Sequence, residues 1–368
     1  MEQKMLRLLK ITSISFVLIL FSISCKPSKL NELEEPEIDT TGFAWQISNQ
    51  EIQGNAQGST FMIKTSDDSL LTSVVEIESL LLSFDAELSS YLDNSLLSRL
   101  NKSDSTFTVP HNAYFDTCYA LSLSVFNKTN GAFDPSVFPL VKAWGFFKDS
   151  ALVLSQDEVD SCLQFIGFEP GEKHNYSDRK YTKENPSFQI DFNAIAQGYS
   201  VDVVAAYLES KGQENYLVEI GGEVRVKGQN SEGNSWALGV DEPKELNSGQ
   251  GERRLENVLH LNTGGLATSG NYRKFHIVNG RKYSHTLDPK TGYSVNHNLL
   301  SATVWSEKCA LADAYATAFM VMGKEKTFAF LAEHPALNLE VYLLFENEDG
   351  RIERAYTEGM LRFFETNF

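Results

Sequence analysis

The sequence predicts a fold that mixes strands and helices in one large domain or two intimate ones, and three observations carry that expectation. The first is periodicity. Ser59-Thr60-Phe61-Met62-Ile63-Lys64 alternates as a strand does, whereas Leu70, Val74, Ile77, Leu81 and Phe84 recur at the spacing of an amphipathic helix from about Ser69 to Leu88. The second is punctuation. Asn279-Gly280 separates two strand-like runs, Lys274 to Val278 and Lys282 to His285, and both central residues of a type I′ hairpin turn need positive φ. The third is composition: 368 residues, 42% hydrophobic and 22% charged, suffice to bury a sizeable core.

In chain order, Phe43-Ala-Trp-Gln-Ile-Ser48 alternates and reads as the strand that pairs with residues 59 to 64. After the helix ending at Leu88, a loop leads into a short helix with Asn94 or Ser95 as N-cap. A further helix, His111 to Thr129, stops at Asn130-Gly131. The stretches Gly131 to Pro135 and Ala143 to Phe146 are rich in glycine and aromatics; they can offer a flat surface to a ring-shaped ligand or pack in the core. A short helix at Gln156 to Phe165 and a polar hairpin-like stretch precede Gln189 to Gly198, a small-residue loop that delivers the chain into a helix from Tyr199 to Lys211. Free N–H groups and the helix dipole make such a junction suited to anions. Tyr216 to Gly228 reads as two strands broken at Gly221-Gly222, Trp236 to Val240 as another strand, and Asp241 to Glu256 as a charged surface loop. Leu300 to Trp305 is a strand, Ala310 to Met322 a helix, and Val341 to Phe345 with Ile352 to Tyr356 a closing hairpin. There is no internal repeat.

A net charge of −17 and a pI near 4.9 argue against nucleic acid or an anionic membrane surface as a general partner, since both repel an acidic protein. Four cysteines, Cys25, Cys118, Cys162 and Cys309, form no CxxC pair and no zinc spacing, so neither a disulfide framework nor a structural metal is signalled. Cys25 stands apart. Lys4, Arg7 and Lys10 precede an apolar run from Ile11 to Ile23, too short for an ordinary membrane span, and Ser22-Ile23-Ser24-Cys25 resembles a lipobox. The expectation is a signal peptide over residues 1–24, a lipidated Cys25 with a polar tether over 25–41, and a folded domain over 42–368, held on the periplasmic face of a membrane outside the cytoplasm.

The chemistry concentrates in two places. Gly264 to Gly292 packs Thr268, Ser269, Tyr272, Arg273, Arg281, His285 and Asp288 between short apolar runs, which places them on a hairpin and its loops. In Ala310-Leu-Ala-Asp313-Ala-Tyr-Ala-Thr317 the acid and hydroxyl lie four apart and project from one helix face. Their oxygens suit Mg²⁺, although an aspartate near a helix N-terminus with a back-bonding threonine is also ordinary. Taken with the anion-suited helix start, these features point to a metal–diphosphate ligand with a base nearby.

At these positions the chain resembles the ApbE-type flavin transferases. The motifs run in family order: Ser90-Tyr91…Ser95…Asn101, Gly131-Ala-Phe-Asp134-Pro, Trp144-Gly145-Phe146, Asp191-Phe-Asn-Ala194-Ile-Ala-Gln197-Gly198-Tyr, Ile220-Gly-Gly-Glu223, Thr268-Ser269-Gly-Asn-Tyr272-Arg, Ser284-His285-Thr-Leu287-Asp288-Pro and Ala312-Asp313-Ala…Thr317. The resemblance implies an α+β fold, with β-sheet layers and packed helices enclosing a flavin cleft. It implies Mg²⁺-dependent transfer of FMN from FAD to a threonine hydroxyl of a partner protein, through a phosphoester and with release of AMP. By the same resemblance Mg²⁺ is held by the Asp313 and Thr317 side chains and the Ala194 carbonyl. Asp191 and Gln197 hold the adenosine part. Tyr91, Trp144, Gly145 and Phe146 line the flavin, and Leu287 falls close to another cofactor contact. Thr268 and Ser269 face the diphosphate, and His285 acts as general base or orienter. The implied acceptor is a subunit of a membrane electron-transport complex. This chain departs from the family pattern in its neutral Gln197, where Lys or Glu is common, and in Ala316, where some members carry a second Asp. Two alternatives use the same residues: an FAD pyrophosphatase in which water replaces threonine, and a flavin-binding lipoprotein without chemistry.

Overall fold

The computed structural model describes residues 50–364, apart from 112, 148–151, 244–253, 272–274 and 279–280. The expected signal peptide, Cys25, the tether and the alternating run at 43–48 lie outside the described residues, as do Tyr272, Arg273 and the Asn279-Gly280 turn. The strand that pairs with residues 59–64 is therefore not the one read from the sequence: β1 (Glu51–Ala56) and β2 (Ser59–Thr65) form the hairpin, turning at Gln57-Gly58 with φ of 54° and 72°. Helix α1 (Val74–Leu88) starts later than its periodicity implies, because Ser73 caps it. The Ser73 hydroxyl accepts from the Glu76 N–H while the Glu76 carboxylate accepts from the Ser73 N–H. Ser95, not Asn94, caps α2 (Leu96–Lys102).

The chain continues through β3 (Thr106–Thr108), α3 (Ala113–Lys128), α4 (Phe138–Ala143), α5 (Gln156–Leu163), β4 (His174–Ser177) and β5 (Lys180–Lys183). Then follow α6 (Asn193–Ser210), β6 (Tyr216–Ile220), β7 (Glu223–Lys227), β8 (Trp236–Asp241), β9 (Leu255–Leu261) and β10 (Thr263–Gly270). The last elements are β11 (Phe275–Val278), β12 (Arg281–Ser284), β13 (Leu299–Ser306), α7 (Cys309–Met322), α8 (Lys324–Glu333), β14 (Glu340–Glu346) and β15 (Ile352–Tyr356). Among the described residues an eight-stranded antiparallel sheet runs in the order β1-β2-β6-β7-β10-β13-β14-β15.

Side chains alternate across that sheet, so neighbouring residues of one strand serve different cores. On β10, Ala267 packs with Ala310, Ala314 and Phe319 of α7, whereas Leu266 packs with Trp236, Leu259 and Trp305 under the β8–β9 ribbon. Helices thus cover one face and a two-stranded ribbon the other, the layered α+β arrangement expected. At the centre α7 is pressed between α6 and β10. A Cβ on Gly198 would lie 2.5 Å from the Cys309 carbonyl oxygen, and one on Gly265 would lie 2.4 Å from the Cys309 Cα. Both glycines are there for close approach. A smaller core under α4 and α5 gathers Leu140, Trp144, Val159, Ile166 and Leu287.

Candidate functional site

Asp313 is buried in the alanine-rich middle of α7, 6% exposed. The Gly198 N–H donates to its Oδ2 at 3.0 Å. In a regular helix that N–H bonds the carbonyl four residues back, which is Ala194, so the carboxylate competes for the donor the Ala194 oxygen would otherwise hold. Among the described residues no cation pairs with Asp313. Burial consequently pushes its pKa up to about 7, with the Gly198 N–H pulling the other way. A carboxylate so placed is costly unless a cation approaches it. One turn on, the Thr317 Oγ1 lies 3.2 Å from the Ser269 Oγ of β10. The Asp313 carboxylate thus meets α6, the Thr317 hydroxyl meets β10, and Ala194 lies one turn before Gly198 on α6. This all-oxygen set fits Mg²⁺, which is content with one carboxylate when ligand oxygens complete its shell. No group of three or more His, Cys, Asp or Glu suited to a metal occurs among the described residues.

Asp191 ties three loops together. Its Oδ1 accepts from the Ser90 hydroxyl at 2.6 Å and the Asn193 N–H at 3.1 Å, and its own N–H donates to the Pro135 carbonyl at 2.8 Å. Burial raises its pKa, against the pull of the Ser90 hydroxyl. Beside it the Asn193 side-chain amide donates to the Tyr91 hydroxyl at 3.3 Å, and the Tyr91 ring, 63% exposed, stacks on Phe147 at 4.9 Å and 13°. Phe147 was not among the residues expected, although the run Trp144-Gly-Phe-Phe147 contains it. Gln197 lies over Gly221, where a Cβ would sit 1.6 Å from its Nε2, and donates to the Ile220 carbonyl at 3.3 Å.

Trp144, expected to line the flavin, and Leu287, expected close to another cofactor contact, have their side chains in the core. Trp144 is 1% exposed; its indole N–H donates to the Gly292 carbonyl at 2.8 Å and its ring packs against Tyr283 and Tyr293. Leu287 is buried in the same small core, and Phe146 packs partly buried against it. Gly145, at φ 80°, turns the chain between Trp144 and Phe146. These side chains hold the loop in place, and among the described aromatics of this region Tyr91 offers the open ring.

Thr268 and Ser269 belong to strand β10 rather than to a loop of the β11–β12 hairpin, and so point to opposite faces. Ser269 shares the α7 face with Ala267; Thr268 bonds the Thr303 hydroxyl at 2.8 Å on the side of Leu266, away from Asp313. His285 follows β12 and is half-buried. Its neighbour Thr286 donates to the Asn271 Oδ1 at 2.6 Å, and Asn271 donates through its N–H to the Leu300 carbonyl at 3.0 Å. The segment carrying His285 is thereby fastened just beyond the end of β10, close along the chain to Ser269. Asp288 is a turn residue: its Oδ1 accepts from the Lys290 N–H and its carbonyl from the Gly292 N–H. One residue escaped the sequence altogether. Asp202, in the run Ser200-Val-Asp-Val-Val of α6, bonds the N–H groups of Cys309 and Ala310 at 3.0 Å each and pairs with Arg225 at 2.6 Å. A charge amid valines was the signal that could have found it.

Residues 57–343 match the model of the ApbE family. The chain is 33% identical over 313 residues to the FAD:protein FMN transferase of Haemophilus influenzae, covering 83% of this chain and 88% of that one. It is 33% identical over 312 residues to the FAD:protein FMN transferase of Vibrio cholerae, covering 83% and 90%. Among solved structures, the flavin transferase ApbE from Vibrio cholerae superposes with a TM-score of 0.74 at 31% identity, covering 85% of this chain and 98% of that one. The Pseudomonas stutzeri flavinyl transferase ApbE in its apo form gives 0.73 at 28%, covering 87% and 98%.

Proposed function

The chain belongs to the ApbE family, and from that premise we propose that it is an FAD:protein FMN transferase whose acceptor is a threonine hydroxyl. In the reaction the threonine oxygen bonds the phosphorus of the FMN moiety, the diphosphate P–O bond breaks, AMP leaves and the hydroxyl proton passes to a base. Asp313, Thr317 and the Ala194 carbonyl would hold Mg²⁺. When bound, that ion supplies positive charge to the diphosphate oxygens.

The protein's own part is positioning, which dominates phosphoryl transfer. Asp191, held by Ser90 and Asn193, presents a fixed acceptor beside Tyr91, and the exposed Tyr91 ring offers a stacking surface for the isoalloxazine. Ser269 orients the Thr317 hydroxyl. His285 takes the acceptor proton, a role suited to an imidazole at neutral pH. The observation that carries this reading is the buried Asp313 carboxylate, which Gly198 contacts and which no cation among the described residues neutralises. We further propose that the enzyme works outside the cytoplasm, anchored through a lipidated Cys25, with its acceptor in a membrane electron-transport complex.

Incubation with FAD and Mg²⁺, with and without a threonine-bearing acceptor, tests the chemistry by mass spectrometry. The expected result is FMN on the acceptor threonine, equimolar AMP and no free FMN when acceptor is omitted; free FMN would make the enzyme a hydrolase, and intact FAD would leave only binding. Asp313→Ala is expected to abolish the Mg²⁺-dependent reaction, and His285→Ala to slow it by roughly 10²–10⁴-fold, the usual worth of a general base. Full activity in either variant removes that residue from its role.

A further inference from the structure

Two contacts, one turn apart on the same face of α6, clasp α7. The first is the Gly198 N–H on Asp313. The second is Asp202 on the start of the helix. The first N–H groups of any helix lack partners within it. Here Leu311 and Ala312 return theirs to the Lys308 carbonyl, and Lys308 at the N-cap position makes no side-chain cap bond. The two that remain, on Cys309 and Ala310, are both taken by Asp202, one by each carboxylate oxygen at 3.0 Å. Arg225 of β7 fixes that carboxylate from the third side at 2.6 Å. The cap of α7 is thus supplied by a neighbouring helix rather than by its own chain, so it fixes where α7 begins relative to α6. Gly198 leaves no slack between the helices, since the Cys309 carbonyl already sits where a Cβ would be.

We infer that Asp202 is a positioning residue for the transfer site: it sets α7 against α6 and so fixes Asp313 and Thr317 relative to the Ala194 carbonyl. Its consequence for the metal rests on the reading proposed above, whereas the clasp itself exists in metal-free protein. Groups that orient ligating side chains are worth about 10–100-fold in metal affinity.

The test uses purified full-length protein carrying Asp202→Ala or Asp202→Asn, with Arg225 intact. Three quantities are read: amide hydrogen exchange over residues 309–317 without metal, calorimetric Mg²⁺ binding in the presence of FAD, and the Mg²⁺ dependence of transfer. In Asp202→Ala, exchange at the start of α7 is expected to quicken. Mg²⁺ affinity should fall about 10–100-fold, with kcat largely restored at saturating Mg²⁺. Asp202→Asn, which keeps the size and one acceptor, is expected to fall between; it also carries the test if the alanine variant does not fold. Wild-type exchange and Mg²⁺ affinity in a folded variant would overturn the inference. So would a lowered kcat at saturating Mg²⁺ with unchanged Mg²⁺ affinity, the mark of mere loss of folded enzyme. Should the wild type itself show no Mg²⁺ response, the metal reading falls, and exchange over residues 309–317 alone decides the role of Asp202.

Discussion

Asp313 and His174 show at the level of single residues how burial becomes a pH response. His174 is 3% exposed, its ring stacked between Phe168 at 4.7 Å and Phe188 at 5.0 Å and its Nε2 3.0 Å from the Tyr119 hydroxyl. Burial pushes its pKa down to about 4. Between there and its ordinary value near 6.5 the unfolded chain binds the proton and the folded one does not, so this group costs stability as pH falls through that window. Asp313 acts in the opposite direction. Its folded pKa of about 7 lies above the ordinary 3.8, so the folded state keeps a proton that the unfolded chain releases, and metal-free stability falls as pH rises from about 4 to 7. Urea unfolding in EDTA at a series of pH values separates the two. Relative to wild type, His174→Phe is expected to gain stability toward pH 4, and Asp313→Asn to gain it toward pH 7. A wild-type pH profile in either variant contradicts its assignment. The placement of Asp313 and Thr317 on one helix face was legible in the sequence from their four-residue spacing, whereas the burial of that carboxylate away from any cation among the described residues was not, since an aspartate and a threonine one turn apart are also ordinary in a helix. The orientation of Trp144 was not, since an aromatic beside glycine serves a ligand or a core equally well until its neighbours are known.

At the scale of elements, glycine misled and instructed in equal measure. Gly264-Gly265 looks locally like a turn, yet both residues lie inside β10. Gly265 is required because the backbone of α7 passes where its Cβ would be, and Gly264, at φ 90°, because Trp305 does. Reading that stretch as a loop put Thr268 and Ser269 on the same side, and pleating separates them. Gly198 has the same origin and yields a prediction for the α6–α7 packing. Gly198→Ala adds a methyl 2.5 Å from a backbone oxygen. Overpacking of that kind costs about 1–3 kcal/mol, partly offset by up to ~1 kcal/mol of gained helix propensity. The variant is expected to melt lower than wild type and to bind Mg²⁺ more weakly, because α7 must move away from α6. An unchanged melting temperature together with unchanged Mg²⁺ binding would show that the helices accommodate the methyl elsewhere.

For the whole molecule, the proposed function assigns anchoring to the N-terminal segment and chemistry to the domain that follows it. No helix among the described residues is long and apolar enough to cross a membrane, so the anchoring proposed here rests on Cys25 and the apolar run before it. A single acyl chain binds membranes only marginally, whereas stable anchoring takes a second chain or signal. Cys25→Ala is expected to move the exported protein from the membrane fraction to the soluble one and to slow flavinylation of a membrane acceptor in cells, with activity on a soluble acceptor peptide unchanged. Membrane association undiminished by the substitution would refute lipidation at Cys25. By itself the sequence determined the mixed helix-and-strand character, the closing hairpin of the large sheet, the family and the shared helix face of Asp313 and Thr317, because periodicity, turn chemistry and i to i+4 spacing are local properties; it misplaced the strand that pairs with residues 59–64. Only the tertiary structure decided that Ser269 and not Thr268 faces that pair, that Trp144 and Leu287 are core, and that Asp202 caps a helix far along the chain. Those facts depend on which backbones approach one another, and no local pattern encodes the distance between α6, α7 and β10.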